Sequence, residues 1–200
     1  MKKFILLLLP AFFASDLFAQ NTLPLQPEDI SPLLIGETIP NETVTSVEGQ
    51  KVSFNTILND KPTLLIFYRG GWCPYCNAHL AELDKIESQI LDLGYQIVAV
   101  SPDAPKNLQA TVDKNELRYS LYSDGKGKLA GAVGVAFKAP ERYEKRIAEY
   151  SEGENVSYLP VPSLFVLNSK GEIQFEYINP NYKQRISGDL LLAVLQHLDK

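Results

Sequence analysis

The sequence predicts an α/β fold, and the order of three segments near its middle is the main reason. Thr63 to Tyr68 is a short, uncharged run rich in β-formers, and Gly70-Gly71 ends it. Apolar residues at helical spacing follow, and Gln96 to Val100 then has the composition of a second buried strand. Because a strand, a helix and a strand in succession form a βαβ unit, the two strands are predicted to be parallel. The helix then starts at the carboxyl end of the first strand, where open α/β sheets place their chemistry.

The segments on either side of this unit extend the predicted sheet. Residues 20–40 are rich in proline and are expected to form an N-terminal arm laid over the surface. A hairpin is expected between Thr43 to Ser46 and Gln50 to Phe54, around Glu48-Gly49. After the βαβ unit the patterns predict a helix, a short strand and a second helix, at Ala104 to Asn115, Ser120 to Ser123 and Lys126 to Val133.

The last third of the chain combines one charged segment with strongly apolar ones. Residues 139–154 are predicted to be an exposed helical insertion, whose charges either face water or form a lid that docks a partner. Ser163 to Leu167 and Glu172 to Tyr177 are predicted strands joined by a tight turn. His197 is expected on the surface of a final helix. The apolar stripe of that helix comprises Leu190, Leu191, Val194, Leu195 and Leu198.

Residues 1–19 have the layout of a secretory signal peptide. Lys2-Lys3 precede an apolar block from Phe4 to Ala14, and Ala19 offers a small residue for cleavage. The block is too short and broken to span a bilayer comfortably, although an uncleaved anchor remains an alternative. Cleavage would leave 17 basic and 23 acidic residues, a net charge of −6, which disfavours nucleic acid or an anionic membrane as a partner. We therefore expect an exported protein, periplasmic or secreted, with no stable membrane insertion after cleavage.

Both cysteines of the chain lie where the first strand turns into the helix. In the run WCPYC, Pro74 fits the first helical position, so Cys73 precedes the helix and Cys76 lies in its first turn. The apolar stripe of this helix comprises Cys76, Leu80, Leu83, Ile90 and Leu91. Since a helix N-terminus stabilises a thiolate, Cys73 is predicted to be the accessible cysteine of low pKa, and Cys76 the shielded one.

Other interpretations of these residues stay open on the residue types alone. The CxxC pair could be half of a zinc site, although only His79 and His197 offer further nitrogen donors, or it could be a static disulfide. Trp72 and Tyr75 either pack as ordinary aromatics or shape access to the thiol. Arg69 is either a surface charge or a cation that tunes the thiolate. Neither a metal nor a bound cofactor is expected.

The segment FYRGGWCPYC resembles the active-site segment of the thioredoxin-fold superfamily, and most closely that of peroxiredoxin-like AhpC/TSA proteins. Phe67-Tyr68 match the peroxiredoxin pattern FYPxxxTxxC, in which Cys76 takes the place of the peroxidatic cysteine. The thioredoxin pattern WCxxC instead matches Trp72, Cys73 and Cys76, with Cys73 attacking and Cys76 resolving. The resemblance implies a thioredoxin-like fold over residues 41–200, with a central mixed β-sheet flanked by helices.

A second segment, VPSLFVLNSKGEI, is similar to the cis-proline, strand and turn element of the same superfamily. The resemblance implies that Pro162 is a cis-proline beside the cysteines. The residues expected to shape or tune the site are then Arg69, Trp72, Pro74, Tyr75 and Pro162.

The chain also departs from both patterns. Peroxiredoxins have an arginine where Pro162 falls, which leaves Arg69 as the only cation near the motif. Thioredoxin's buried carboxylate falls at Ile66, so that proton carrier is missing. Glu82 and His79, on the following helix, are the candidates to replace it, but His79 is expected to be an ordinary surface histidine.

These observations predict a thiol–disulfide oxidoreductase in which Cys73 attacks a substrate disulfide and Cys76 resolves the mixed disulfide. A thiol peroxidase is the close alternative, with Cys76 oxidised to a sulfenic acid and Cys73 condensing with it. The expected partners are a thiol or disulfide redox protein, a small thiol or a hydroperoxide. Outside enzymology, the alternative is a copper-handling protein resembling the Sco type, which would use both cysteines and His197.

Overall fold

A computed structural model describes residues 22–155 and 157–198 of the 200-residue chain. The strands of the described chain are β1 Thr43–Ser46, β2 Lys51–Ser53, β3 Thr63–Phe67, β4 Gln96–Ser101, β5 Ser120–Ser123, β6 Ala136–Lys138, β7 Tyr158–Pro160, β8 Ser163–Leu167 and β9 Ile173–Ile178. The helices are α1 Phe54–Leu58, α2 Pro74–Lys85, α3 Glu87–Asp92, α4 Pro105–Asn115, α5 Lys128–Ala132, α6 Glu141–Tyr150 and α7 Gly188–His197.

Seven of these strands form one mixed sheet in the order β2-β1-β5-β4-β3-β8-β9. β3 runs parallel to β4, with Leu65 opposite Val98, and antiparallel to β8, with Leu65 opposite Phe165. The predicted parallel βαβ unit is therefore confirmed, and β3 is its central strand. The α/β class and the thioredoxin-like arrangement of a mixed sheet flanked by helices are likewise confirmed.

Both faces of the sheet are covered by helices. All five residues of β3 are buried, as expected of a strand with a core on each side. On one face, Leu64 and Ile66 join a cluster that includes Leu80 of α2 and Leu191 of α7. On the other face, Phe67 packs in a second cluster with residues of α1 and α5.

The helix after the cysteines is shorter than its apolar stripe predicted. Ile86 leaves the helical conformation, with φ −107° and ψ 6°, and separates α2 from α3. The change of axis keeps Ile90 in the core, but it turns Leu91 outward, with 52% of its surface exposed. The assignment of Leu91 to the buried stripe is therefore wrong.

Two further segments differ from the sequence pattern in their details. Phe54 begins α1 instead of ending the hairpin strand, because the Ser53 hydroxyl caps the helix by accepting the Thr56 N–H. The insertion predicted over residues 139–154 contains α6, and it is flanked by β6 and β7, which pair as a separate antiparallel ribbon that the sequence did not predict.

The N-terminal arm, expected over residues 20–40, is described from Thr22 onward. It crosses the sheet and the loop after α5, where the Leu33 N–H donates to the Val133 carbonyl and the Gly36 N–H to the Ile173 carbonyl. The predicted signal peptide, residues 1–19, lies outside the described residues. No helix in residues 22–155 and 157–198 has the length and apolar character needed to cross a membrane.

Candidate active site

The two cysteines lie at the carboxyl end of β3, at the start of α2. Cys73 is the N-cap residue in an extended conformation and Pro74 is the first helical residue, as predicted. The N–H groups of Cys76 and Asn77 both donate to the Cys73 carbonyl at 3.1 Å, which closes the first turn. The two sulfurs are not joined in a disulfide, and each residue has only 1% of its surface exposed. The expectation that Cys73 is accessible is wrong, because both cysteines pack into the apolar cluster that contains Leu64 of β3 and Leu80 of α2.

The two thiols differ in acidity despite their equal burial. The neighbouring Cys76 thiol and N–H, helped by the charges of Arg69 and Arg185, lower the pKa of Cys73 to about 6 against the effect of burial. Burial raises the pKa of Cys76 well above its ordinary value, and the neighbouring Cys73 raises it further. The pair is therefore a thiolate at Cys73 with a thiol at Cys76.

Arg185 is the functional residue that the sequence did not reveal. Its Nη2 donates to the Cys76 sulfur at 3.4 Å. The same guanidinium is held by bonds from Nη1 to the carbonyls of Tyr182 and Gln184, at 2.7 and 2.6 Å. Arg69 is consequently not the only cation near the motif. No local pattern pointed to Arg185, because it lies 109 residues beyond Cys76 in the chain.

Arg69 is buried, with 4% of its surface exposed, and is not a surface charge. Its guanidinium lies over three aromatic rings, at 5.0 Å from the centroid of Trp72, 4.5 Å from Tyr143 and 4.2 Å from Tyr182. Such contacts contribute roughly 0.5–2 kcal/mol each. The guanidinium in turn lowers the pKa of the Tyr143 hydroxyl to about 8.

A buried carboxylate does lie beside the loop that joins β3 to α2, but not where the thioredoxin pattern placed it. Asp103, just after β4, accepts the Gly71 N–H through Oδ2 at 2.7 Å. It is 1% exposed, and burial raises its pKa to about 7, with the Gly71 bond opposing the shift. Asp103 therefore titrates near neutral pH, next to the loop that carries Cys73.

The two residues considered as proton carriers have other environments. Glu82 accepts the Gly188 N–H through Oε1 at 2.8 Å, which ties α2 to the start of α7. His79 is 5% exposed, so its assignment to the helix surface is wrong. Burial and the nearby Arg185 lower the pKa of His79 to about 3, which keeps the imidazole neutral. His197 is exposed, as predicted, and bonds to the Ala193 carbonyl at 2.7 Å.

The predicted cis bond before Pro162 is not present, since the described residues contain no cis peptide bond. The trans isomer has the lower free energy for most X-Pro bonds, and the cis prediction came only from the resemblance. Pro162 nevertheless lies close to the site, because it lines a small cavity together with His79 and Arg185.

A larger groove, of about 620 Å³, opens beside this cavity. Pro162 and Arg69 line it, together with Phe137, Val161 and Tyr143. Of the two aromatic residues of the motif, Trp72 packs on Tyr143 with centroids 5.5 Å apart. Tyr75 is 40% exposed and meets the Tyr182 ring edge-on, so it lies at the rim of the site.

Known proteins similar to this chain are thiol-dependent redox proteins, in agreement with the paired cysteines of the site. The sequence matches the AhpC/TSA family over residues 35–176. The chain belongs to the AhpC/TSA family. It is 31% identical over 106 residues to the putative peroxiredoxin bcp of Haemophilus influenzae, a match that covers 53% of this chain and 68% of that protein. The match to the thiol-disulfide oxidoreductase ResA of Bacillus thuringiensis is longer, at 24% identity over 166 residues, 81% of this chain and 80% of ResA.

Solved structures give the same fold for this AhpC/TSA protein. Peroxidoxin BcpB from Mycobacterium tuberculosis superposes with a TM-score of 0.66 at 18% identity, over 83% of this chain and 98% of that one. The family and these relatives make the chain an oxidoreductase that works through its thiols. The copper-handling alternative has no support among them, and the described residues hold no group of three His, Cys, Asp or Glu that could bind a metal ion.

Proposed function

We propose that this AhpC/TSA protein is a thiol–disulfide oxidoreductase whose attacking group is the Cys73 thiolate. The observation that supports the proposal is the position of Cys73 at the N-cap of α2 with Cys76 in the first turn, where Cys76 lowers the pKa of Cys73 to about 6 and burial raises the pKa of Cys76. A thiolate is the attacking species in disulfide exchange, and an attacking thiol is most effective when its pKa lies near the ambient pH.

The reaction then proceeds in two exchanges. The Cys73 thiolate attacks one sulfur of the substrate disulfide, the substrate S–S bond breaks, and one substrate thiolate leaves. Cys76 passes its proton to a base and attacks the Cys73 sulfur, which releases the second substrate thiolate and forms the Cys73–Cys76 disulfide. The substrate gains two electrons and the protein loses two. Because both cysteines are only 1% exposed, the residues around them have to move for a substrate to reach Cys73.

Thiol peroxidase chemistry is a second candidate, favoured by the contact from Arg185 to the Cys76 sulfur. Here the Cys76 thiolate attacks the terminal oxygen of a hydroperoxide, the O–O bond breaks, and the alcohol leaves after protonation. Cys73 then attacks the sulfenic acid at Cys76, which releases water and forms the same disulfide. The relative from Haemophilus influenzae named a putative peroxiredoxin is consistent with this candidate.

Single-cysteine variants distinguish the two candidates. If Cys73 attacks disulfides, Cys73→Ser should abolish insulin reduction, whereas Cys76→Ser should trap a mixed disulfide at Cys73 that mass spectrometry detects. If Cys76 is peroxidatic, Cys73→Ser should still form a sulfenic acid at Cys76 when one equivalent of peroxide is added. A Cys76→Ser variant that traps no substrate while Cys73→Ser is oxidised by peroxide would reject the disulfide reductase and support the peroxidase.

Arg185→Met tests the peroxidase candidate directly. Loss of a charged donor at a catalytic centre reduces turnover by on the order of a hundredfold, so peroxide consumption with dithiothreitol should fall by about that factor. Insulin reduction should fall severalfold at most, because Cys73 is acidified mainly by Cys76. Lys170→Met, an exposed charge in the turn between β8 and β9, is the matched control and should leave both rates unchanged.

We further propose that the protein acts outside the cytoplasm and exchanges electrons with a thiol or disulfide protein or a small thiol. The arrangement of residues 1–19 supports export. Fractionation of cells that produce the full chain, followed by N-terminal sequencing, should find the mature protein in the exported fraction, beginning at Gln20. Retention of Met1 in the cytoplasmic fraction would reject this proposal.

A further inference from the structure

The groove beside the dithiol contains a cation, Arg69, that forms no ion pair with any carboxylate of the described residues. In residues 22–155 and 157–198, the ion pairs within 4.0 Å all belong to Arg118, which bonds Asp84 and Glu87. Arg69, which lines the groove, has no such ion pair although only 4% of its surface is exposed. Burying a cation without a counter-ion is unfavourable, and the three aromatic rings around Arg69 offset that cost only in part.

The surroundings of Arg69 suit an anion attached to an apolar body. The walls of the groove are largely apolar, with Leu25, Phe137 and Val161 among them. Its charged residues are Arg69, Lys138, Arg142, Glu28 and Glu141. They sum to one positive charge, whereas the whole chain carries −5. The two glutamates are exposed to water, so Arg69 is the charge that a ligand in the groove would meet with the least screening.

The groove also communicates with the dithiol. Tyr143 lines the groove and packs on Trp72, the residue that precedes Cys73. Pro162 lines both the groove and the small cavity that contains Arg185, which contacts Cys76. A molecule held in the groove therefore lies against residues that adjoin Trp72 and Arg185, the neighbours of the two cysteines.

We propose that this groove binds the carboxylate of a small organic substrate, with Arg69 as the counter-ion and the apolar walls around the substrate's body. A guanidinium matches a carboxylate through two parallel N–H···O bonds, and a groove of about 620 Å³ is within the ordinary range for small ligands. The inference rests on the thiol chemistry proposed above and adds a binding step, not a redox step. The carboxylate could belong to a disulfide or to a hydroperoxide.

A pair of aromatic disulfides tests the binding step. Dithiobis(nitrobenzoate) carries a carboxylate on each ring, whereas dithiodipyridine is neutral at about pH 7. Arg69→Met changes the acidity of Cys73 for both reagents alike, so the ratio of the two rate constants isolates recognition of the carboxylate. A hydrogen-bonded ion pair lost at this site should lower that ratio about tenfold or more. Lys170→Met, at the far end of β8, should leave the ratio within about twofold of wild type.

Two outcomes overturn the proposal. One is an unchanged ratio in Arg69→Met, and the other is an equal fall in Lys170→Met, which would mean that the general field of the protein, and not the groove, selects the anion. If Arg69→Met does not fold, competition in the wild-type protein replaces it. Sodium octanoate should then slow dithiobis(nitrobenzoate) in a saturable manner and more strongly than it slows dithiodipyridine, and an equal effect on the two reagents, or none, overturns the proposal.

A second pair of probes, a fatty acid hydroperoxide and its methyl ester, distinguishes whether the carboxylate belongs to a hydroperoxide or to a disulfide. A preference for the free acid that Arg69→Met removes would assign the groove to hydroperoxides. A preference confined to the two disulfides would assign it to disulfides. Calorimetric titration of octanoate into Cys73→Ser/Cys76→Ser protein, with and without Arg69→Met, tests the groove even if the dithiol proves inactive, because no thiol chemistry is involved. Failure of octanoate to bind, or equal binding to both proteins, overturns the proposal.

Discussion

At the scale of single residues, two identical side chains acquire different chemical roles at the start of one helix. Cys76 lowers the pKa of Cys73 and burial raises that of Cys76, so the negative charge resides on Cys73 and the proton on Cys76. Arg185 reaches Cys76 and Arg69 contributes its charge to Cys73. The dithiol is thus influenced by two cations, one four residues before Cys73 and one 109 residues after Cys76.

Asp103 adds a titrating group to this site, and its effect on stability has a definite sign. Its pKa is raised from 3.8 to about 7 in the folded protein, so the fold favours the protonated form. That contribution to the free energy of unfolding is complete below about pH 4 and is lost as the pH rises through about 7. The slope between these values cannot exceed about 1.4 kcal/mol per pH unit for one proton.

Asp103→Asn should remove this slope while an amide oxygen still accepts the Gly71 N–H. We expect the difference in unfolding free energy between wild type and Asp103→Asn, measured by urea denaturation at pH values from 4 to 8, to decline as the pH rises. Cys73 contributes in the opposite direction, because its lowered pKa adds stability at high pH that is lost as the pH falls through about 6. Since both proteins contain Cys73, subtracting one curve from the other removes this contribution. Parallel curves for the two proteins would contradict the assigned pKa of Asp103.

At the scale of elements, one arginine holds two helices together across the break at Ile86. Arg118, which precedes β5, contacts Asp84 in the last turn of α2 through Nε at 3.3 Å and Glu87 in the first turn of α3 at 3.0 Å. Its Nη2 also donates to the Asp84 carbonyl at 2.9 Å. Glu87 is 5% exposed, so this contact satisfies a carboxylate that water hardly reaches.

Arg118→Met should therefore leave Glu87 buried without a partner and destabilise the junction of α2 and α3. An unsatisfied buried polar group costs about 1–3 kcal/mol, and urea denaturation should show a loss in that range. Lys114→Met, an exposed charge on the neighbouring α4, is the control and should change stability by less than about 0.5 kcal/mol. Equal stability of the two variants would show that the contact is a surface ion pair of little consequence.

At the scale of the whole molecule, the N-terminal arm packs against the body through a close backbone approach. Gly134 has φ +77°, and a Cβ atom there would lie 2.0 Å from the Ser31 carbonyl oxygen of the arm. The neighbouring bond from Leu33 to Val133 fixes the arm at the same place. Glycine is required here by both the conformation and the contact.

Gly134→Ala should displace the arm and destabilise the protein by more than the backbone strain alone. Gly153 is the matched control, because its φ is +85° and a Cβ atom there would meet nothing within 4 Å. We expect Gly153→Ala to cost about 1 kcal/mol from strain, and Gly134→Ala to cost more and to speed amide hydrogen exchange in residues 22–40. Identical losses in the two variants, with unchanged exchange in the arm, would show that the arm is not held at this point.

The sequence by itself determined the order of the main sheet strands, the parallel βαβ unit and the place of the dithiol at a helix start. These features depend on neighbours in the chain: apolar residues at fixed spacing, Gly70-Gly71 ending a strand, and Pro74 opening a helix next to Cys73. Predictions were wrong where they relied on a resemblance or on an assumed surface position and not on neighbouring residues, as with the cis bond before Pro162 and the exposure of His79.

Only the tertiary structure decided which side chains surround the two sulfurs. Arg185 comes to Cys76 from 109 residues away, and Asp103 reaches the Gly71 N–H from the end of β4. The burial of His79 and the aromatic rings around Arg69 likewise depend on α7 and the insertion packing against α2 and β3. The physical reason is that the charge, burial and hydrogen bonding of a site are set by distances in space, and residue spacing along the chain specifies those distances only within a single element.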